Sequence, residues 1–326
     1  MPAIESFLTL EDSLRTRLLN KWQKIATPMV KRMTTKVMDG APGEAFTEIE
    51  ELNLKRVVAG EQRFVKFHSV GSYLFGASNL TGSVQSTEAI RNQEVPEIID
   101  PAIVLFNLMI EDIDRSLRIV ATDTLTLTTS IVEAWKDERS KVSVTMSDRL
   151  AKQELPQPFD IKEFEEHFGD EIIVAEISTV QMRQFVSVFM EDRISRTGGS
   201  VVTAASSTHT SRLSSYGFLT EAKLFGVTKY KVSEQLDGRT CPVCRRMHGK
   251  IFDTEESHER LDGILRIDDP QTLKQASPWP NQSKAGIAEL DALSNGQLQS
   301  RGFAFPPYHP MCRGVLLPVD GNPPPL

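Results

Sequence analysis

Apolar residues recur every three or four positions near the start of the chain and predict a long amphipathic helix. Thr9 should begin it, since an acidic residue follows three positions on, as in a capping box. The apolar stripe then runs to Val37 through Leu14, Leu18, Trp22, Ile25, Met29 and Met33. Pro28 is expected to kink or divide this helix, and Gly40 with Pro42 to end it.

The following segments predict a shorter helix, an irregular region and a second long helix. Residues 47–59 favour helix. Residues 70–97 carry many Gly, Ser and Thr without a sustained helical period, and so favour loop or short strands. Asp100 before Pro101 predicts the start of a helix. The Asp side chain can accept hydrogen bonds from the unpaired amides of the first turn, and Pro has no amide hydrogen that would lack a partner there. This helix is expected to reach about Ala121.

The middle of the chain mixes signals. Residues 124–153 open with strand-favouring threonines, but the later apolar spacing favours helix. A Pro-rich break at 155–159 precedes a short helix near 160–168, a strand at 171–174 and a helix over 177–195. The residues of the last helix available for burial are Val180, Met182, Phe185, Phe189 and Met190.

Thr197-Gly-Gly-Ser200 has the composition of a hinge or linker, and we place a domain boundary there. The chain then divides into a mostly helical domain, residues 1–200, and a smaller one, residues 201–326. The predicted fold class is mainly α, with a small α+β C-terminal domain.

The C-terminal domain should begin with a helix over residues 202–225, closed by Gly226. Tyr230 and Val232 indicate a strand, and Asp237-Gly238 a turn.

Composition and charge narrow the classes of function. The chain has 326 residues, 40% hydrophobic and 25% charged, typical of a folded protein. Its net charge of −7 lacks the basic excess of proteins that coat nucleic acid. The longest apolar run, residues 102–110, is too short for a membrane span. The N-terminus lacks the pattern of a secretory signal, which favours synthesis in a reducing cytoplasm.

All three cysteines lie in the last third of the chain, in two pairs with the same spacing. The pairs are Cys241-Pro-Val-Cys244 and His309-Pro-Met-Cys312. In each pair, the first and the last side chain can bind the same metal ion. Zn²⁺ accepts three thiolates and one imidazole in tetrahedral geometry, and four protein ligands make such a site structural. The sequence therefore predicts a structural zinc staple in the C-terminal domain.

The segment between the pairs, residues 245–308, is far longer than in a zinc ribbon. Closing the longer loop costs roughly 1.5 kcal/mol more, whereas a structural zinc ion contributes on the order of 10 kcal/mol. Pro306-Pro307 stiffens the approach to the second pair and lowers the entropy lost on binding.

Other interpretations of these residues stay open. The Cys-x-x-Cys pair is also typical of thiol redox sites, and free cysteines often fill a protein core. His248 and His258 are candidate substitute ligands. Asp237 suits a turn better than a ligand position. Arg313 is a candidate to offset the negative charge of three thiolates around one Zn²⁺, or to support a sulfur by a hydrogen bond.

Several segments together resemble the phage head morphogenesis family, also called Mu F-like minor head proteins. They follow the family's order of helix, strand, D-x-R-T-C-x-x-C, a glycine-containing turn, a variable insert and P-P-x-H-P-x-C-R. The segments concerned are Ser211–Val232, Leu236–Cys244, Met247–Phe252 and Pro306–Arg313.

The resemblance covers about residues 203–319 and departs from the family at two places. The family more often has a cysteine or polar residue where this chain has Gly314, and an Arg-Thr-Glu run where it has Thr210-Ser-Arg212. What the resemblance implies is a structural, low-copy component of a tailed-phage virion. Its expected partners are the portal protein or the major capsid protein, through residues 1–200.

Two competing functions remain. The family resemblance also suggests carriers of toxin domains, and zinc can activate water for catalysis. However, the chain has no His-Glu-x-x-His and no deaminase His-x-Glu motif, so we expect no enzyme. Arg245, Arg246 and Lys250 form a small basic cluster that is a candidate contact for packaged DNA, or an ordinary solvated surface.

Overall fold

The computed structural model describes residues 2–51, 53–81, 96–137, 143–144, 172–173 and 178–319. They are mostly helical. The helices of the N-terminal half are α1 (Pro2–Met38), α2 (Pro42–Glu51), α3 (Leu54–Ala59), α4 (Gln62–Thr81) and α5 (Ile99–Asp137). After them come α6 (Thr179–Met190), a π-helical stretch (Glu191–Arg196) and α7 (Thr197–Leu224). The last five are α8 (Pro242–Met247), α9 (Thr254–Leu265), α10 (Pro270–Ala276), α11 (Lys284–Ala292) and α12 (Asn295–Ser300).

The described residues also form five short strands. β1 (Ser143–Val144) pairs with β2 (Ile172–Ile173). The larger sheet has the order β4-β3-β5, with β3 (Lys229–Ser233) between β4 (Ile251–Asp253) and β5 (Val315–Pro318). Both pairings of β3 are antiparallel.

The chain divides into two compact units that are not continuous in sequence. The first takes residues from 1–23, 53–116 and 198–326, and the second from 24–52 and 117–197. Neither corresponds to the expected domains, residues 1–200 and 201–326.

Helix α7 is the centre of the first unit, and its residues 205–219 are all buried. It passes so close to α4 that a side chain at Gly76 would overlap the Ser214 carbonyl, and one at Gly217 the Tyr73 carbonyl. Glycine at both positions therefore permits backbone-to-backbone contact between the two helices.

The small sheet of the first unit has its β4 edge covered by side chains. Asn295 Nδ2 donates to the Ile251 carbonyl (2.9 Å). The Gln299 side chain accepts a hydrogen bond from the Asp253 amide and donates one to the Asp253 carbonyl. Asn295 and Gln299 lie one turn apart on α12, so this helix satisfies polar groups that a further strand would otherwise pair.

The second unit packs the later part of α1 against α2. Glu48, a buried carboxylate on α2, binds Arg32 and Lys36, one turn apart on α1, at 2.7 Å each. The Arg32 hydrogen bond, followed by that of Lys36, outweighs burial and lowers the pKa of Glu48. Arg118 on α5 donates to the Ile49 and Glu50 carbonyls at the end of α2.

Several predictions of secondary structure are confirmed. The apolar stripe of α1 is buried, except for half-buried Ile25, and α1 ends before Gly40, which has a φ of 83°. Within the predicted strand at 171–174, the described residues Ile172–Ile173 form β2. The helix closed by Gly226, the strand at Tyr230 and Val232 and the turn at Asp237 also form as predicted. The short helix near 160–168 and the break at 155–159 lie outside the described residues.

Other predictions about the N-terminal helices are wrong. The first helix begins at Pro2 rather than Thr9 and is not divided at Pro28. Residues 47–59 belong to two helices rather than one, because α2 ends at Glu51 and Asn53 caps the start of α3. Residues 70–81 are helical, since tight packing of α4 against α7 compensates for its poor helix formers.

Further differences concern α5, α6 and the expected hinge. α5 continues past Ala121 to Asp137, so the helix favoured for residues 124–153 is confirmed over 124–137. Ser143–Val144 is a strand rather than helix. Val180 on α6 is 75% exposed instead of buried. Residues 197–200 are helical, and a side chain at Gly198 would overlap the Trp22 indole. The glycine at 198 thus serves close packing, not a flexible linker.

Candidate metal centre

Pairing of β3 with β5 brings the two cysteine-containing segments to one end of the sheet. The antiparallel register places Ser233 opposite Val315. The chain that leaves β3 therefore starts beside the chain that enters β5. The first leads to Cys241, eight residues after Ser233, and the second contains Cys312, three residues before Val315. Tertiary pairing thus joins segments that are far apart in sequence.

The first pair lies at the start of α8. Cys241 caps this helix, and its Sγ accepts a hydrogen bond from the Cys244 amide (3.3 Å). Pro242 occupies the first helical turn, where its lack of an amide hydrogen costs nothing. Cys244 is buried and Cys241 is half-buried, so the Cys241 thiol is the more accessible of the two.

The second pair lies in a tight turn before β5. Met311 has a φ of 62°, and the Cys312 amide donates to the His309 carbonyl (3.3 Å). His309 Nδ1 lies 2.6 Å from the Pro310 carbonyl, which fixes the proton on Nδ1. The Nε2 lone pair is then directed at Cys244 Sγ, 3.0 Å away, and this is the tautomer needed for metal binding.

The predicted ligands lie close together. The donor atoms of Cys241, Cys244 and His309 are all within 4.8 Å of one another, and Cys244 Sγ is 3.8 Å from Cys312 Sγ. All three cysteines are free thiols. A tetrahedron with Zn–S bonds of about 2.3 Å has an edge of about 3.8 Å, which matches the separation of Cys244 and Cys312.

Glu234, which the sequence analysis missed, forms a second cluster with Cys244 and Cys312. The three donor atoms lie within 4.8 Å of one another, and the Cys312 thiol donates to Glu234 Oε1 (3.5 Å). Burial raises the pKa of Glu234 to about 7, against the opposing hydrogen bonds of the two thiols and the charge of Arg313. Its position one residue past a predicted strand was the only signal available in the sequence.

Tyr308 adds a buried hydroxyl next to this cluster. Burial, followed by the charge of Glu234 and of other neighbours including Cys312 and Cys244, raises its pKa well above the usual value. Among the described residues, its hydroxyl has no hydrogen-bond partner. The unsatisfied hydroxyl, the converging thiols and the orientation of His309 together fit a site that holds a metal ion.

Asp237 and Arg313 bind each other instead of the thiols. Both Arg313 amino groups donate to the Asp237 carboxylate at 2.7 Å, and one also donates to Gln235 Oε1 (3.0 Å). The hydrogen bond from Arg313 is the main reason that the pKa of Asp237 is lowered. This pair connects the loop before Cys241 to the residue after Cys312 and so stabilises the approach of the two segments.

The two candidate substitute ligands lie elsewhere. His248 Nδ1 accepts a hydrogen bond from the Glu234 amide (3.0 Å), which links the end of α8 to the end of β3. His258 on α9 stacks on Tyr216, with ring centroids 5.0 Å apart, and its Nε2 lies 3.2 Å from Thr220 Oγ1. Neither belongs to the two donor clusters.

The basic residues after the first pair interact locally. Arg246 forms an ion pair with Asp291 on α11 (2.6 Å). Arg245 donates to the carbonyls of Thr240 and Asp237. Lys250 is half-buried, and its carbonyl accepts from the Val232 amide. These contacts are local, and the contact of these residues with packaged DNA stays a prediction.

Comparison with known proteins found no match among protein-family models, curated protein sequences or solved structures. Among the described helices, none is both long and apolar enough to cross a membrane.

Proposed function

We propose that this chain is a structural minor head protein of a tailed bacteriophage, whose C-terminal part is held together by one structural zinc ion. The ligands in this proposal are Cys241, Cys244, His309 and Cys312. The observation that carries it is that two pairs, placed on opposite sides of a 64-residue insert, approach one another at the end of a sheet.

Zinc is the metal best suited to these donors. Thiolate and imidazole ligands favour zinc over magnesium or calcium, which prefer oxygen. Four protein donors would fill a tetrahedral site and leave no position for a substrate, as expected for a structural ion. The proposal therefore assigns the ion to stability and assigns no catalytic residue.

The order of elements supports the family part of the proposal. The described chain contains in order a helix closed by Gly226, a strand, Cys-x-x-Cys, a turn with Gly249, an insert and His-x-x-Cys, which is the order of the Mu F-like motif. On this proposal the protein is made in the bacterial cytoplasm and becomes part of the virion, in contact with portal or major capsid subunits.

The test is deletion of the gene followed by complementation. We expect the deletion to give defective heads or particles of low infectivity, and the unchanged gene to restore them. A Cys244→Ser gene should fail to complement, because the zinc staple is lost, whereas Glu259→Gln, an exposed change on α9, should complement fully.

Two results would contradict the proposal. Normal heads with normal infectivity after deletion would remove the assembly role. The proposed structural ion would be contradicted by two observations together. These are purified protein in which elemental analysis finds no zinc, and full complementation by Cys244→Ser.

A further inference from the structure

Glu234 is a buried carboxylate that lacks a cationic partner. It is 4% exposed, and among the described residues no Lys, Arg or His forms an ion pair with it. Arg313, the cation whose charge reaches it, is bound to Asp237 and Gln235. A buried carboxylate is costly unless a positive charge compensates for it, and a metal ion between the thiols would supply that charge.

The surroundings of Glu234 make room for its carboxylate at the cluster. A side chain on Gly314 would overlap Glu234 Oε1, so only glycine at 314 lets the carboxylate reach Cys312. The Tyr308 hydroxyl, which is buried and without a partner among the described residues, lies beside the same groups.

Two donor clusters share Cys244. The outer cluster contains half-buried Cys241 and His309, and the inner one contains buried Cys312 and Glu234. A tetrahedral ion takes four of these five donors. Three thiolates and a carboxylate around one divalent ion would leave an excess of two negative charges, so binding by Glu234 is favoured when one thiolate leaves. Cys241 is the most exposed thiol and therefore the one that exchanges.

We propose that Glu234 is a fifth donor of the metal centre, which coordinates the same ion as Cys244 and Cys312 and replaces Cys241 when that thiol is absent or displaced. This inference rests on the proposed metal centre. It adds a ligand that the two sequence pairs do not contain, and it makes the centre tolerant to loss of its outer cysteine.

The experiment is a double-mutant cycle on full-length protein freed of metal and titrated with Zn²⁺ against a chelating dye. The variants are Cys241→Ser, Glu234→Gln, both together, and Cys241→Ser with Glu259→Gln as the matched control. We expect Cys241→Ser to bind one ion per chain with affinity reduced on the order of tenfold. Adding Glu234→Gln should weaken it at least another hundredfold, more than Glu234→Gln alone weakens the unchanged protein.

The outcomes separate the inference from the proposal on which it rests. Equal affinity of Cys241→Ser with and without Glu234→Gln would overturn the role of Glu234, as would complete loss of binding in Cys241→Ser while the unchanged protein binds zinc. No zinc binding by the unchanged protein would overturn the metal centre itself.

If the double variant does not fold, infrared spectroscopy of the single variant tests whether Glu234 coordinates the ion. The infrared difference spectrum of Cys241→Ser upon zinc addition should show a shifted carboxylate band, because a coordinated carboxylate vibrates differently from a free one. An unshifted band in a variant that binds zinc would overturn the inference.

Discussion

At the scale of single residues, the first unit contains two buried histidines that are satisfied by hydroxyl groups. His68 Nε2 on α4 lies 2.8 Å from Thr210 Oγ1 on α7, and His209 Nε2 on α7 lies 2.8 Å from Ser69 Oγ on α4. Burial lowers the pKa of both histidines to about 3. Both hydroxyls also donate to backbone carbonyls of their own helices, so each imidazole donates through Nε2 and the two bonds join α4 to α7.

These histidines predict a loss of stability in mild acid. The unfolded chain binds protons below its ordinary histidine pKa, about 6.5, whereas the folded chain does not until about pH 3. The stability they contribute is thus fully present above pH 6.5 and decreases as the pH falls. At pH 5 we expect a loss of about 2 kcal/mol per histidine in the free energy of unfolding.

Urea unfolding at several pH values between 7.5 and 5 measures this loss. In the His209→Gln protein the free energy of unfolding should depend less steeply on pH, since one buried ring is gone. An identical pH dependence of His209→Gln and the unchanged protein would show that the pKa of His209 is the same in the folded and the unfolded chain.

At the scale of elements, the crossing of α4 and α7 depends on glycine. No side chain fits at Gly217, because a Cβ atom there would overlap the Tyr73 carbonyl oxygen. Gly217→Ala should therefore separate the helices and lower the free energy of unfolding by about 3 kcal/mol, the upper range for overpacking. Thermal or urea unfolding measures the effect.

Gly263 provides the control for this prediction. It lies exposed in the interior of α9, with open space around it. Gly263→Ala should raise stability by up to about 1 kcal/mol, because alanine is the better helix former. Similar effects at Gly217 and Gly263 would contradict the close crossing.

At the scale of the whole molecule, the sheet and the candidate metal centre belong to a unit that also contains N-terminal segments. Residues 205–219 of α7 are buried, partly against α4. A fragment containing only residues 198–326 would expose this helix, and we expect it to aggregate or to lack a cooperative unfolding transition, even with zinc.

The measurement is the solubility and thermal unfolding of that fragment, alone and co-expressed with residues 53–116. Co-expression should increase the soluble fraction, because α4 and the first part of α5 supply contacts within the same unit. A fragment that unfolds cooperatively by itself would support an independent C-terminal domain instead.

The sequence by itself determined the features that depend on neighbouring residues. Helical spacing predicted the buried stripe of α1, because residues three and four apart share one face whatever the surroundings. Gly226, the β3 strand and the turn at Asp237 follow from local backbone preferences. The two candidate pairs of metal ligands were also visible, since each places its donors within one turn of chain.

Only the tertiary structure decided what depends on distant contacts. Helix α4 forms in a Gly- and Ser-rich segment because α7 packs closely against it, and Gly198 is part of a helix because Trp22 fills the space beside it. Glu234 joins the thiols because β3 pairs with β5, and no spacing along the chain encodes that pairing. Long-range packing and strand register overrode local preference at each of these places, since they bury groups that sequence neighbours cannot reach.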